Sequence, residues 1–292
     1  MKIFSMLLFS MVFLSQTCFA IGVDWNSNII TAIGVGSAPE YAIKPGQADA
    51  LARRAAVVDA YRNLASIVYG VEIENHTTVA QLVVKKDTIK TAVAGVIKNA
   101  RIIDEEMLDD SNYQVTISMP LFGPNSLSSA VWTAKNTTPD VSEDDIFPFS
   151  TNAATPPAAA TAATTTSPPT TAAKTTPAVV PNGAFTGLVV DCRGLNLERA
   201  MAPNIVDLAG KIIYSSKNIT DSAVIRHGLA SYARSDSPNE LGAAGPNPLM
   251  IKAISLQDFQ QNPVVAKEDG DKILLAVQQY DFMKTCSVVF IQ

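Results

Sequence analysis

The stretch Ile33–Glu40, IGVGSAPE, decides how the first half of the chain is read. It follows an apolar run, Ile29–Val35, that reads as a β-strand, and precedes a helical pattern from about Pro45 to Tyr69. A Gly-x-Gly between strand and helix raises the question of a phosphate cradle. A dinucleotide fingerprint needs a third glycine where strand and helix pack closely, and Pro39 stands there instead. A P-loop would end in Gly-Lys-Ser/Thr, which does not follow. Gly34 and Gly36 are therefore read as part of a connector from strand to helix, without a nucleotide.

Outward from that stretch, Pro45 and Gly46 suit a helix start and Gly70 its end. Leu51, Ala55, Val58, Ala65 and Val68 recur at helical spacing, and Val57, Leu64 and Ile67 widen the stripe into a core face. Arg53, Arg54, Asp59 and Arg62 read as solvated charges on the same helix. Val71–Glu74 is strand-like, and Thr77–Ile97 is a helical or alternating stretch. The run ARIIDEEMLDDSNYQVTISMPL then reads as a hairpin. Its strand Ile102–Leu108 turns at Asp109–Asn112 into a return strand in which Tyr113, Val115, Ile117 and Met119 alternate with polar residues. Alternation means one covered face, and the helix from Pro45 supplies the cover, giving an α+β layer. Along the hairpin, Asp104 and Glu106 share a face that Glu105 does not. They read as ordinary exposed charges, with no motif fixing a glycosidase pair or a calcium site.

Composition changes between residues 137 and 183, where TTPDVSEDDIFPFSTNAATPPAAATAATTTSPPTTAAKTTPAVVPN is rich in Thr, Ala and Pro. Such a segment buries too little apolar surface to offset its ordering entropy and is expected to be a disordered linker. Its patch VSEDDIFPF reads as solvated linker, with a short docking motif as the sharper alternative. The expected organisation is a leader at 1–20, a helix-on-sheet domain at 21–136, the linker at 137–183 and a second α+β domain at 184–292. In that last part FTGLVVDCRGL, NPLMIKAISL and CSVVFIQ read as strands, and NIVDLAGKIIYSS as strand, turn and strand. Lys267–Asp281 carries Ile273, Leu274, Val277 and Tyr280 at helical spacing. The fold class is α+β, with two small domains, each a mixed or antiparallel sheet covered by helix.

The opening MKIFSMLLFSMVFLSQTCFA has the layout of a secretory signal peptide cut after Ala20, with an apolar core too short to span a membrane. Cys18 lacks the Leu and small residues that precede a lipid-acceptor cysteine. After the leader, Cys192 and Cys286 remain, and in an oxidising compartment they are a candidate disulfide, two buried thiols being the alternative. Net charge is −5, and no Lys/Arg cluster offers the positive footprint that nucleic acid needs. No later apolar run is long enough to span a membrane. His76 and His227 stand apart without metal-ligand spacing, and no cofactor or metal is expected. Asp191 and Arg193 end a strand on one face, where they can bind each other, anchor the neighbouring loop or line a binding edge.

The runs GQADALARRAAVVDAYRNLASIVYGVEIENHTTV and GVIKNARIIDEEMLDDSNYQVTISMPL resemble a known domain over about residues 30–122. It is shared by small bacterial outer-membrane lipoproteins of the roughly twenty-kilodalton antigen family and the N-terminal domain of flagellar assembly protein T. Ala52–Ala56, Asp59–Arg62, Tyr69–Val71, Gly95–Ile97 and Tyr113-x-Val115 carry the resemblance. FTGLVVDCRGLNLERAMAPNIVD and NPLMIKAISL resemble a C-terminal module found beside this domain in uncharacterised envelope proteins. The resemblance implies a periplasmic or secreted envelope protein, peripherally associated with the outer membrane at most, and no catalytic residues. The expected role is non-enzymatic, with envelope or flagellar proteins as partners. The alternative is a small-ligand binder or hydrolase with a site around Asp191, Arg193 and His227.

Overall fold

The computed structural model describes residues 21–40, 44–108, 112–137 and 184–292. The leader, most of the hairpin turn, and the linker with its VSEDDIFPF patch lie outside the described residues.

The first unit contains β1 (Gly22–Asp24), β2 (Ile29–Ser37), α1 (Pro45–Tyr69), β3 (Glu72–Glu74), β4 (Thr77–Thr78), α2 (Val79–Lys85), α3 (Asp87–Lys98), β5 (Arg101–Met107), β6 (Asn112–Pro120) and α4 (Leu127–Thr137). Four strands form an antiparallel sheet in the order β1-β2-β6-β5, and α1 lies across β2 and β6. Thr78 starts α2 through a capping box: the Gln81 amide donates to Thr78 Oγ1, and the Thr78 amide donates to Gln81 Oε1.

The structure corrects the connector reading of the glycines. Gly34 and Gly36 lie inside β2, paired with Val115 and Tyr113 of β6. A Cβ added to Gly34 would come within 2.6 Å of Ala60 Cα, and one on Gly36 within 2.7 Å of the Ala55 carbonyl carbon. Such distances are closer than van der Waals contact, so the helix backbone rests directly on the strand. The helix matches this with alanines: Ala52, Ala56 and Ala60 are buried at i, i+4, i+8, and Leu64 and Val68 continue the line. The expected stripe is thereby rotated. Val68 and Leu64 hold, but Ala55 is exposed and Val58 keeps 45% of its surface in water. Bulky residues suggested the wrong face because small ones allow the closest approach.

The second unit contains β7 (Gly187–Asp191), β8 (Ile205–Asp207), β9 (Ile212–Tyr214), α5 (Asp221–His227), β10 (Ser231–Ala233), β11 (Pro248–Gln257), β12 (Asn262–Val265), α6 (Lys267–Gln279) and β13 (Val288–Ile291). Its seven-stranded mixed sheet runs β10-β13-β7-β11-β12-β8-β9. The interior strand β7 is parallel to both neighbours, and Leu188, Val189 and Val190 are fully buried, as expected for a strand covered on both faces. Val189 packs with Val289, Ile291, Ala233, Leu241 and Ala244 on one side, and the main core occupies the other.

That main core is continuous between the units. Ile30, Leu64, Leu121 and Leu127 of the first belong to the same buried cluster as Met201, Ile205, Leu229 and Phe290 of the second. Two sheets covered by helix were expected from sequence; a shared core was not.

Candidate interaction surfaces

The seam between the units is built from short elements, β3 among them, joined by contacts that no sequence spacing flags. Strand β3 continues into the second unit through its backbone: the Met201 amide donates to the Glu72 carbonyl (3.0 Å) and the Ala202 amide to that of Ile73 (2.7 Å). The Gly123 amide likewise donates to the Ile225 carbonyl (2.7 Å). Ser128 of α4 donates to the Val224 carbonyl of α5 (3.2 Å), and Asn136 donates to Asp221.

Two tight turns face each other here. Asn75 and His76 in the β3–β4 turn, and Asp258, Phe259 and Gln260 in the β11–β12 turn, all have positive φ without being glycine. Contacts between the turns help hold these backbones. Asn75 Oδ1 accepts from Asn204 Nδ2 (3.1 Å) and Asn262 Nδ2 (3.0 Å), and Asn262 Oδ1 accepts from the Asn204 amide (2.7 Å). The His76 amide donates to Gln261 Oε1 (3.0 Å), while the His76 ring stacks on Phe259 with centroids 4.1 Å apart. Glu74 accepts from Lys135 (2.8 Å) and from Ser216 across the seam (3.3 Å).

Aromatic rings close the other end. Trp25, in the β1–β2 turn, meets Tyr232 edge-on at 5.6 Å and Phe122 at 6.4 Å. Buried Tyr232 accepts from the Ala200 amide and donates to its carbonyl, both at 2.8 Å, and burial pushes its phenol pKa up. Gly228, at φ 72° and ψ −179°, lies where an added Cβ would come within 2.6 Å of the Phe122 ring, so glycine is required twice over.

The residues singled out from sequence fall as follows. Asp191 and Arg193 bind each other: Arg193 Nε and Nη2 donate to the two carboxylate oxygens at 2.9 and 2.7 Å, and the Arg193 amide adds a third bond at 3.0 Å. Hydrogen bonds from Arg193, against some desolvation, hold the Asp191 carboxyl below its usual pKa. Asp236 approaches the same guanidinium at 3.8 Å. His227 ends α5 and precedes the amino end of β10, whereas the register places Asp191 level with Ile291 and Ala233 at the carboxyl end. The three therefore do not converge. Burial and the neighbouring Arg226 lower the His227 imidazole pKa.

Cys192 and Cys286 are both free and buried, which corrects the disulfide expectation. Cys192 follows the carboxyl end of β7 and Cys286 precedes the amino end of the parallel strand β13. Strand geometry separates such ends by on the order of 15 Å, against a Cα separation of under about 7 Å for a disulfide. Burial pushes the Cys192 thiol up to about 12 and also raises that of Cys286.

The helix charges read as solvated have partners too. Arg53 Nε and Nη2 donate to Glu105 of β5 at 2.5 and 2.8 Å. Asp59 Oδ2 accepts from the Val35 amide (3.1 Å), and Asn63 Nδ2 donates to the Ile33 carbonyl (2.8 Å). These two side chains close the edge of β2 that short β1 leaves open. The opposite edge of the sheet is β5, exposed along its whole length. A concave groove lies between α3 and α4, in the first unit and away from Asp191. Among the described residues, no group of three or more His, Cys, Asp or Glu side chains could hold a metal, and no helix is long and apolar enough to cross a membrane.

A small helix-on-sheet module docked on a mixed-sheet module, with Glu74, Lys135 and Asp221 hydrogen-bonded at the seam, defines a two-module α+β protein. Residues 30–119 match the family model for LPP20 lipoprotein, and residues 187–292 match that for the second domain of Treponema pallidum Tp0624. The lipoprotein match suggests a cell-envelope protein with outer-membrane association; neither matching description mentions a flagellar protein. No curated protein matches the chain.

Proposed function

We propose that this chain is a non-enzymatic interaction protein of the bacterial envelope, which uses its two docked modules as one body to hold partner proteins during assembly of an outer-membrane or flagellar structure. The lipoprotein-family match over residues 30–119 supports the location. The observation that carries the role is the use of ionisable groups: Asp191, Arg193, Glu74 and Lys135 are engaged in bonds that hold loops and the seam. The long open edge at β5 supplies a surface for a partner.

The test places photo-crosslinking residues at exposed positions on each module, Met107 and Met250 among them, in living cells. Adducts with components of the outer membrane or of a flagellar structure are expected. Adducts confined to other copies of the chain would overturn the proposal.

A further inference from the structure

The edge strands of the two large sheets are unequal. β1, β9 and β10 are three residues long, and β2 beyond β1 is closed by Asp59 and Asn63. β5 runs seven residues, all exposed, and Ile102, Ile103 and Met107 retain 38%, 39% and 49% of their surface. An exposed edge with apolar side chains is a template for another strand. Charge decides which strand fits. Pairing with β6 places Asp104 opposite Thr116 and Glu106 opposite Gln114, so both carboxylates lie on the sheet face away from α1. Glu105 points the other way and is bound by Arg53.

A second copy of β5 paired about Glu105 is a poor occupant. Antiparallel pairing about Glu105 would set Asp104 against Glu106 twice and Glu105 against itself, and like charges directly opposite are destabilising. We infer that the β5 edge receives an extended segment of a partner protein with Lys or Arg at the two alternate positions facing Asp104 and Glu106, and apolar residues at the flanking positions facing Ile102 and Met107. The partner's backbone completes the ladder, and its two basic side chains set register. This rests on the interaction role proposed above and specifies the chemistry of the segment held.

The test uses the purified full chain and two labelled eight-residue peptides of equal composition, one alternating Lys and Val and one with four lysines followed by four valines. Fluorescence anisotropy is expected to show the alternating peptide binding at least tenfold more tightly. Hydrogen exchange should slow at Arg101–Met107, and the double substitution Asp104→Lys with Glu106→Lys should weaken binding at least tenfold. Because both side chains are exposed, the variant's fold is checked by circular dichroism. Asp104→Asn with Glu106→Gln, which adds no charge, is expected to show an intermediate loss.

Equal binding of the two peptides, protection away from β5, or a β5-mediated dimer in sedimentation would overturn the inference. Failure here is separable from failure of the envelope role. Crosslinks to envelope proteins through Met250 without protection of β5 would leave that role standing. Self-adducts alone in cells would remove the role while the peptide result remained readable.

Discussion

Two close approaches hold this molecule together, and they are made in opposite ways. Where α1 crosses β2, side chains are removed: Gly34 and Gly36 meet the line Ala52, Ala56 and Ala60, and backbone lies on backbone. At the seam between the modules side chains are added, with Asn75, Asn204 and Asn262 bonding one another and two left-handed turns face to face. The first contact joins residues near in sequence and tolerates no added atom. The second joins residues far apart in sequence and depends on every polar partner being present. Small residues make rigidity by exclusion, and amides make it by saturation.

The sharpest way to break the comparison is Gly34→Ala. Its methyl group would have to enter the α1 backbone, which cannot give way like a flexible side chain, so a loss of more than about 3 kcal/mol, or no recoverable folded state, is expected. Equilibrium denaturation measures it, and with one continuous core both modules should unfold in a single transition. Full stability in this variant would show that the crossing is looser than described.

At the seam, Asn75→Ala leaves the amides of Asn204 and Asn262 short of an acceptor and puts alanine at φ 46°. A loss of about 2 kcal/mol is expected, and Asn75→Gly, which keeps the backbone and loses the same bonds, should regain about 1 kcal/mol of it. Equal losses in the two variants would mean that backbone strain plays no part.

Smaller effects sharpen the picture. Asp191 has a lowered folded-state pKa, so its contribution to stability is present above its unfolded value and is lost as pH falls from about 4 through the folded value. Asp191→Asn should lower stability slightly at neutral pH, match the parent protein at acid pH, and so flatten the acid limb of a stability-versus-pH curve; an unaltered acid limb would separate the pair from stability. The smallest expected effect is none: reductant should not shift the unfolding midpoint, because Cys192 and Cys286 are thiols. Alkylation of the denatured, never-reduced protein should label both.

The same contrast explains what could be read in advance. Helix α1, the alternating hairpin of β5 and β6, and strands β7, β8, β9, β11 and β13 follow local periodicity, and local periodicity is visible in a single chain. The rotated face of α1 was not, because Ala52 and Ala56 have less apolar weight than Leu51 and Val58, although the small ones are buried. The strand glycines looked like a loop because backbone contact with a helix leaves the same signature as a turn. Helix α4 was hidden in LSSAVWTAK by its many small residues. The seam rests on contacts of Asn75 with Asn204, Trp25 with Tyr232 and Phe122 with Gly228, each pair more than 100 residues apart, and no spacing rule connects them. Of the functional candidates, Asp191 and Arg193 bind each other. The opposite facing of Glu105 from Asp104 and Glu106 was legible from strand alternation, while the partner of Glu105, Arg53, was not.

The central claim is that the two modules form one body. It is tested most directly by native-state hydrogen exchange at three amides that donate across the seam: Met201, Ala202 and Gly123. One docked body predicts that they open only with the core, exchanging as slowly as the amides of β7. Exchange at the rate of an unprotected loop, with β7 still protected, would contradict it and leave two modules that are merely connected.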